Sequence, residues 1–259
     1  GGAGKTRLAV AAAGRSGAAV TFVPLAALRS AELVVPAIAS AVGSDDRPGP
    51  ATRNRVAAAI GDRPMLLVLD NLEHLTACGP ELLELLTTCP LLVLLVTSRS
   101  PLRVSGEHVV ATPPLALPPR DRTGGWAGLG IDELTGAESV RLFVERADAA
   151  APGFALTNDA APIVAAICDR LGGLPLAIEL AAARIALLPP AELLARLAHQ
   201  LPLLSGGPRD QPTRLRSMRD AVAWSHHLVG EPATRLFRRL AVFPSGAPLD
   251  AVAWMADLD

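Results

Sequence analysis

The sequence predicts an α/β protein built around a mainly parallel sheet, and three observations carry that reading. Two short runs, Met65–Leu69 and Leu91–Val96, are apolar at every position, as central parallel strands covered by helices on both faces must be. A helical stretch, Pro80–Thr88, separates them, so the three form a β-α-β unit. Each run gives way to polar residues, Asp70-Asn71 after the first and Thr97-Ser98-Arg99 after the second. In an open α/β sheet both sets fall on the carboxyl edge, where ligands bind.

The chain opens Gly1-Gly2-Ala3-Gly4-Lys5-Thr6-Arg7, and Thr6–Ala13 reads as a short helix stopped at Gly14. Of the 24 Lys and Arg residues only Lys5 is a lysine. Abundant Ala, Arg and Pro with no Tyr point to a GC-rich coding sequence, in which Arg replaces Lys wherever either serves. Lys5 therefore stands where Arg would not serve. Gly4-Lys5-Thr6 is the end of the phosphate-binding pattern G-x-x-x-x-G-K-[ST], whose first Gly would lie upstream of residue 1. The residue types suit the task. Glycines let backbone N–H groups close on phosphate oxygens, the helix presents its positive end, Lys reaches the β/γ-phosphates, and Thr offers a hydroxyl to Mg2+. A compact ammonium on a flexible stem fits such a nest where a planar guanidinium does not. The alternative is a Gly-rich turn without function. With neither Met nor a basic leader at its start, the chain reads as an excerpt whose first strand precedes Gly1.

Val20–Val23 is the next strand, Ser30–Val42 a helix, and Pro48-Gly49-Pro50 breaks the pattern before a helix near Asn54–Ile60. Met65–Asp70 then reads as a strand ending in a metal-holding carboxylate, with Thr6 and Asp70 as the metal residues of an Mg2+ shell. A turn or capping role is the alternative for Asp70. Glu73 is, with Lys5, the candidate catalytic residue: either it positions the attacking water or it is a solvated helix-start residue. Many hydrolytic ATPases of this type carry a carboxylate directly after the metal-binding Asp. Asn71 holds that position here, so slow hydrolysis is expected. His74 either orients Glu73 or packs. Arg99 is placed to touch a γ-phosphate and so separate ATP from ADP, or is a surface Arg ahead of Pro101.

Pro113, Pro114, Pro118 and Pro119 precede Arg120–Gly130, whose glycines read as a flexible hinge. Asp159–Leu171 and Pro175–Leu188 are apolar on one face and should pack together. Leu215–Asp259 has the helical pattern of a winged-helix unit, with Trp224, Phe237, Phe243 and Trp254 as core anchors. The expected organisation is a nucleotide-binding domain over 1–118, a linker over 119–131, a helical domain over 132–208 and a truncated winged-helix-like domain over 209–259.

Charge narrows the function classes. With 24 Lys+Arg against 25 Asp+Glu the net charge is −1, which supplies no global field for nucleic acid or an anionic membrane. Cys78, Cys89 and Cys168 have no metal-ligand spacing and cannot all pair, which fits a reducing compartment. The apolar stretch around Leu174–Leu188 is broken by Glu179 and Arg184 and falls short of the ~18–20 residues a membrane span needs. A soluble, cytoplasmic protein is expected.

Together these residues resemble a family. Gly-Gly-Ala-Gly-Lys-Thr-Arg-Leu-Ala at the start, Leu-Val-Leu-Asp-Asn-Leu-Glu-His-Leu at 67–75 and Val-Thr-Ser-Arg-Ser-Pro-Leu at 96–102 look like the NB-ARC-type module of bacterial STAND P-loop ATPases, as in AfsR/SARP-type and LuxR-type transcriptional regulators. Glu138–Ala147, Gly173-Leu174-Pro175-Leu176-Ala177 and Ala223-Trp224-Ser225 keep the family's order, and the likeness covers essentially the whole chain. It implies an ATP/ADP switch in which a P-loop domain, a helical domain and a winged helix fold over a Mg2+-nucleotide. Gly2, Gly4, Lys5, Thr6, Arg7 and Arg99 would contact the nucleotide, and Pro175 would lie against the base. Further domains of the same polypeptide, DNA-binding and sensor or repeat domains, are the implied partners, with nucleotide-dependent self-association a further option. In that family the winged helix contacts other domains, so direct DNA contact by this segment is not expected. Two other readings stay open: a fast motor ATPase, which would need a carboxylate at position 71, and a scaffold that holds ADP permanently or no nucleotide.

Overall fold

The computed structural model describes residues 2–45, 47–49, 51–197, 201–208, 210–227, 231–243 and 246–256. The chain falls into two compact units. One is Gly4–Thr112; the other comprises Pro113 and the described residues after it, together with Gly2 and Ala3. Gly1 and Asp259, named among the expectations above, lie outside the described residues.

The first unit is α/β. Strands β1 (Ala19–Pro24), β2 (Met65–Asp70) and β3 (Leu92–Val96) form a parallel sheet in the order β1-β2-β3. Side-chain alternation assigns Leu67 and Leu69 to one face and Leu66 and Val68 to the other. The first face is covered by helices α2 (Val34–Ala41), α3 (Thr52–Ile60) and α4 (Gly79–Thr88). Val34, Ile38, Val56, Ile60 and Leu85 are fully buried against Leu67 and Leu69, each worth about 1.5–3 kcal/mol of transfer free energy. On the second face helix α1 (Lys5–Ala13) meets Leu66 and Val68 through Ala9 and Ala13.

Coverage on that second face is narrower than two uninterrupted apolar runs predict. Val20 and Phe22 of β1 are 44% and 41% exposed, and Val93 of β3 is 59% exposed. One helix is about 10 Å across with its side chains and strands are about 4.8 Å apart, so α1 shelters the central strand and leaves its neighbours partly open. The central strand β2 is buried from Leu66 to Asp70, with Met65 partly exposed.

The second unit is helical. Its elements are α5 (Ile131–Thr135), α6 (Glu138–Ala150), α7 (Ala161–Arg170), α8 (Pro175–Ala182), α9 (Pro190–Leu197), α10 (Met218–His227), α11 (Glu231–Arg239) and α12 (Leu249–Ala256). Phe143 of α6, Ile167 of α7, Ile178 of α8 and Leu193 of α9 are fully buried in one core, so the two amphipathic stretches do pack together. Pro175 opens α8 at its first turn, where a missing N–H costs no helical hydrogen bond. Before it, Gly173 has φ +66°, and its carbonyl accepts a hydrogen bond from Leu115 N–H at 2.9 Å. A Cβ there would lie 2.3 Å from the Leu115 carbonyl oxygen, so both conformation and space require glycine.

The segment expected as a hinge lies inside this unit, because the boundary falls earlier, at Thr112–Pro113. Asp121 organises it: its carboxylate accepts from Thr123 N–H and Oγ1, from Gly125 N–H and from Gly128 N–H. Arg120 lies over the Trp126 ring and pairs with Asp169 at 2.9 Å. Toward the end of the chain, Phe237 and Trp254 are 57% and 64% exposed, so they are not the core anchors expected of them. Three arginines and Glu231 crowd α11, and its buried residue is Thr234 instead. Phe237 meets the edge of His226 at 5.8 Å. Among the described residues no helix is long and apolar enough to cross a membrane.

Candidate functional site

The polar residues at the strand ends converge as the parallel sheet demands. Asp70 closes β2 with 6% of its surface exposed, and Thr97, directly after β3, has 5%. Thr97 N–H donates to the Leu69 carbonyl at 2.9 Å, and Leu72 N–H donates to the Thr97 carbonyl at 3.0 Å. The ladder therefore continues past both strands and fixes the two side chains beside each other. Thr97 Oγ1 donates to Asp70 Oδ1 at 2.6 Å and accepts from Asn71 N–H at 3.0 Å. Thr6, in the first turn of α1, donates through Oγ1 to the same Asp70 oxygen at 2.5 Å. Residues 64 and 27 positions from Asp70 thus meet on one atom. Burying a carboxylate is costly unless donors such as these satisfy it.

The start of α1 follows from its glycine and from the residues of its first turn. Gly4 is the N-cap in the left-handed region, φ 88°, and no side chain caps the helix. The first turn itself carries no acidic residue, and the carboxylate beside it is that of Asp70, bonded to Thr6. Lys5 and Thr6 begin the helix and Arg7 follows on an exposed turn. Gly2, also left-handed at φ 79°, belongs to the helical unit, where its carbonyl accepts from Leu176 N–H at 3.2 Å. A Cβ at Gly2 would come within 2.9 Å of Leu176 Cβ. Pro175, assigned to the base by resemblance, precedes Leu176 in that same unit.

Asn71 takes the left-handed conformation, φ 64° and ψ 49°, which Asn tolerates better than most residues. The reversal sends the chain into a single turn, Leu72–His74, and brings Glu73 to Arg99. Arg99 Nε lies 3.1 Å from Glu73 Oε1, with the Glu73 side chain 5% and the Arg99 side chain 24% exposed. Glu73 is therefore not the solvated helix-start residue of the alternative reading. His74 sends Nε2 to the Leu28 carbonyl at 2.9 Å, in the connection between β1 and α2, so this ring nitrogen carries the proton.

Donor chemistry fits a hard divalent cation held jointly with phosphates. Mg2+ in such sites takes one or two protein oxygens, the rest being water and phosphate, and Thr6 with Asp70 supplies two. Among the described residues there is no cluster of three or more His, Cys, Asp or Glu that would form a protein-only metal cage. All three cysteines are buried thiols. Burial pushes the Cys168 thiol up to about 12 and that of Cys78 to about 11, so neither supplies a thiolate for chemistry.

No family model matches the chain. It is 40% identical over 265 aligned residues, its whole length, to a protein of Mycobacterium tuberculosis (strain H37Rv) whose name proposes an HTH-type transcriptional regulator, and equally to one of Mycobacterium bovis with the same description. The chain spans 28% of the length of each of these relatives. It is also 35% identical, over 96% of its length and 60% of the relative's, to an uncharacterised protein of Mycobacterium tuberculosis.

Proposed function

We propose that this chain is the ATP/ADP-binding switch of a longer transcriptional regulator, an NB-ARC-type P-loop module with slow Mg2+-dependent hydrolysis. The observation that carries the reading is the junction of Thr6 and Asp70 at 2.5 Å at the foot of a helix opened by Gly4 and the chain's single lysine. A packing role does not call for a hydroxyl from a helix start and a buried strand-end carboxylate on one atom. In this reading backbone N–H groups of the first turn and the Lys5 ammonium bind phosphate. Thr6 and Asp70 would hold the cation, which when bound neutralises phosphate charge. Arg99 approaches a γ-phosphate from the neighbouring strand end. Glu73 orients water only once released from Arg99, and Asn71 supplies no carboxylate, so exchange and slow turnover suit the site better than a motor cycle.

The likeness to proteins named as transcriptional regulators supports a regulatory output and a cytoplasmic setting, with DNA contact assigned to other parts of the polypeptide. Calorimetric titration of ADP and ATP with Mg2+ into the full-length protein, alongside Lys5→Ala, tests the reading. Micromolar binding lost in Lys5→Ala is the expected result. Equal absence of binding in both proteins would overturn it in favour of an interaction scaffold.

A further inference from the structure

The ion pair beyond the carboxyl ends of β2 and β3 is unusual in its membership. It joins the group expected to recognise a γ-phosphate to the group expected to act on water, and it is largely withdrawn from solvent. We infer that Glu73 is the counter-ion of Arg99 and sets the ATP-to-ADP preference of the site by competing with the γ-phosphate for that guanidinium. This rests on the nucleotide reading above and goes beyond it, since it makes Glu73 a specificity determinant in the ground state.

Geometry and charge carry the inference. Glu73 reaches Arg99 because Asn71 is left-handed and because Arg99 leaves β3 two residues past Thr97, whose position the strand ladder fixes. Taking its partner from a carboxylate that is 5% exposed would leave a buried uncompensated anion. With ADP, Arg99 has Glu73 as an acceptor and no γ-phosphate competes. With ATP, two anions draw on one guanidinium and also repel each other. ATP therefore has to open or share the pair, and ADP does not. Removing the Glu73 charge while keeping its shape should favour ATP selectively.

The test is Glu73→Gln in the full-length protein, with ATP and ADP affinities measured by calorimetry in Mg2+ beside wild type, Lys5→Ala, Arg99→Gln and the double variant. The expected result is a rise in the ATP-to-ADP affinity ratio of about tenfold, the size of one unit-charge interaction near a protein surface discounted for screening. In the Arg99→Gln background the same change should shift the ratio by less than about twofold, because the contested group is gone. Glu73→Asp, which keeps the charge on a shorter stem, should shift the ratio in the same direction by less and serves if Glu73→Gln does not fold. Equal movement of both affinities, or none, would overturn the inference and leave the nucleotide site standing. Absence of binding in wild type, matching Lys5→Ala, would remove the nucleotide reading and this inference with it.

Discussion

The two units bury polar groups in different ways. In the helical unit Ser139 is fully buried, and its hydroxyl donates to the Ala116 carbonyl at 2.7 Å. Ser217 closes locally on Asp220, to which it donates at 2.7 Å and from whose N–H it accepts at 2.9 Å. Each is complete as it stands. The sheet unit buries hydroxyls too, at Thr52 and Thr97, but it adds a carboxylate, Asp70, served by the hydroxyls of Thr6 and Thr97. Burying a carboxylate costs far more than burying a hydroxyl. A chain that needed only packing at the end of β2 would place an apolar residue there, and on this difference the proposed function assigns its chemistry to the sheet unit.

The strongest way to break this comparison is through the helical unit's tightest backbone contact. Gly173→Ala forces a Cβ against the Leu115 carbonyl and strains a left-handed residue, and should cost about 3 kcal/mol or more. All three tryptophans, Trp126, Trp224 and Trp254, lie in the helical unit. Tryptophan fluorescence in urea therefore reports that unit, while far-ultraviolet circular dichroism reports both. Gly173→Ala should move the fluorescence transition; an unchanged transition would mean that the Gly173 contact is dispensable. Thr97→Val comes next. It takes a donor from Asp70 and an acceptor from Asn71 N–H, for a loss of about 2 kcal/mol. That loss should appear in circular dichroism with little change in fluorescence, and equal movement of both signals would show that the units unfold as one. Ser139→Ala should cost only about 1 kcal/mol, because the Ala116 carbonyl still accepts from the Ser139 backbone N–H at 3.2 Å.

The smallest expected effect is a pH dependence. The Thr123 hydroxyl, then the backbone N–H groups of Gly125 and Gly128, hold the Asp121 carboxyl at about 2, below its ordinary 3.8. A carboxyl depressed on folding adds stability that is full above its unfolded value and lost as pH falls toward the folded one. The 121–128 loop should therefore loosen between about pH 4 and pH 2, seen as a change in Trp126 fluorescence. Asp121→Asn should flatten that profile by lowering the loop's stability above about pH 4 toward its acid value. An unaltered profile would assign the acid sensitivity elsewhere.

Much of the sheet unit was legible in sequence because its signals are local. Apolar runs of strand length marked β2 and β3 to within a residue, and Gly4-Lys5-Thr6 with Asp70 announced a meeting that the parallel arrangement then makes. The Glu73–Arg99 pair was not legible, since it depends on the left-handed turn at Asn71, and nothing in an Asn-Leu-Glu string fixes that backbone. Thr97 passed as one of several polar strand-end residues; its position beside the residue paired with β2 was the available clue. In the helical unit the amphipathic stretches were clear, but the role of Gly173 depends on a backbone segment 58 residues earlier. The glycines of 124–128 suggested a hinge because composition does not reveal that one carboxylate collects their N–H groups.

The single oxygen of Asp70 that accepts both threonine hydroxyls has a thermodynamic consequence. Its rotamer is already frozen, so a cation arriving there need not fund the ordering of that side chain. Yet the oxygen is also already saturated, and a bare cation would have to displace donors that suit it well while giving up tightly held water. In the proposed reading, metal and phosphate would therefore load as one species, each almost indifferent to the site without the other. Such a site would respond to the nucleotide complex and stay silent to swings in free magnesium.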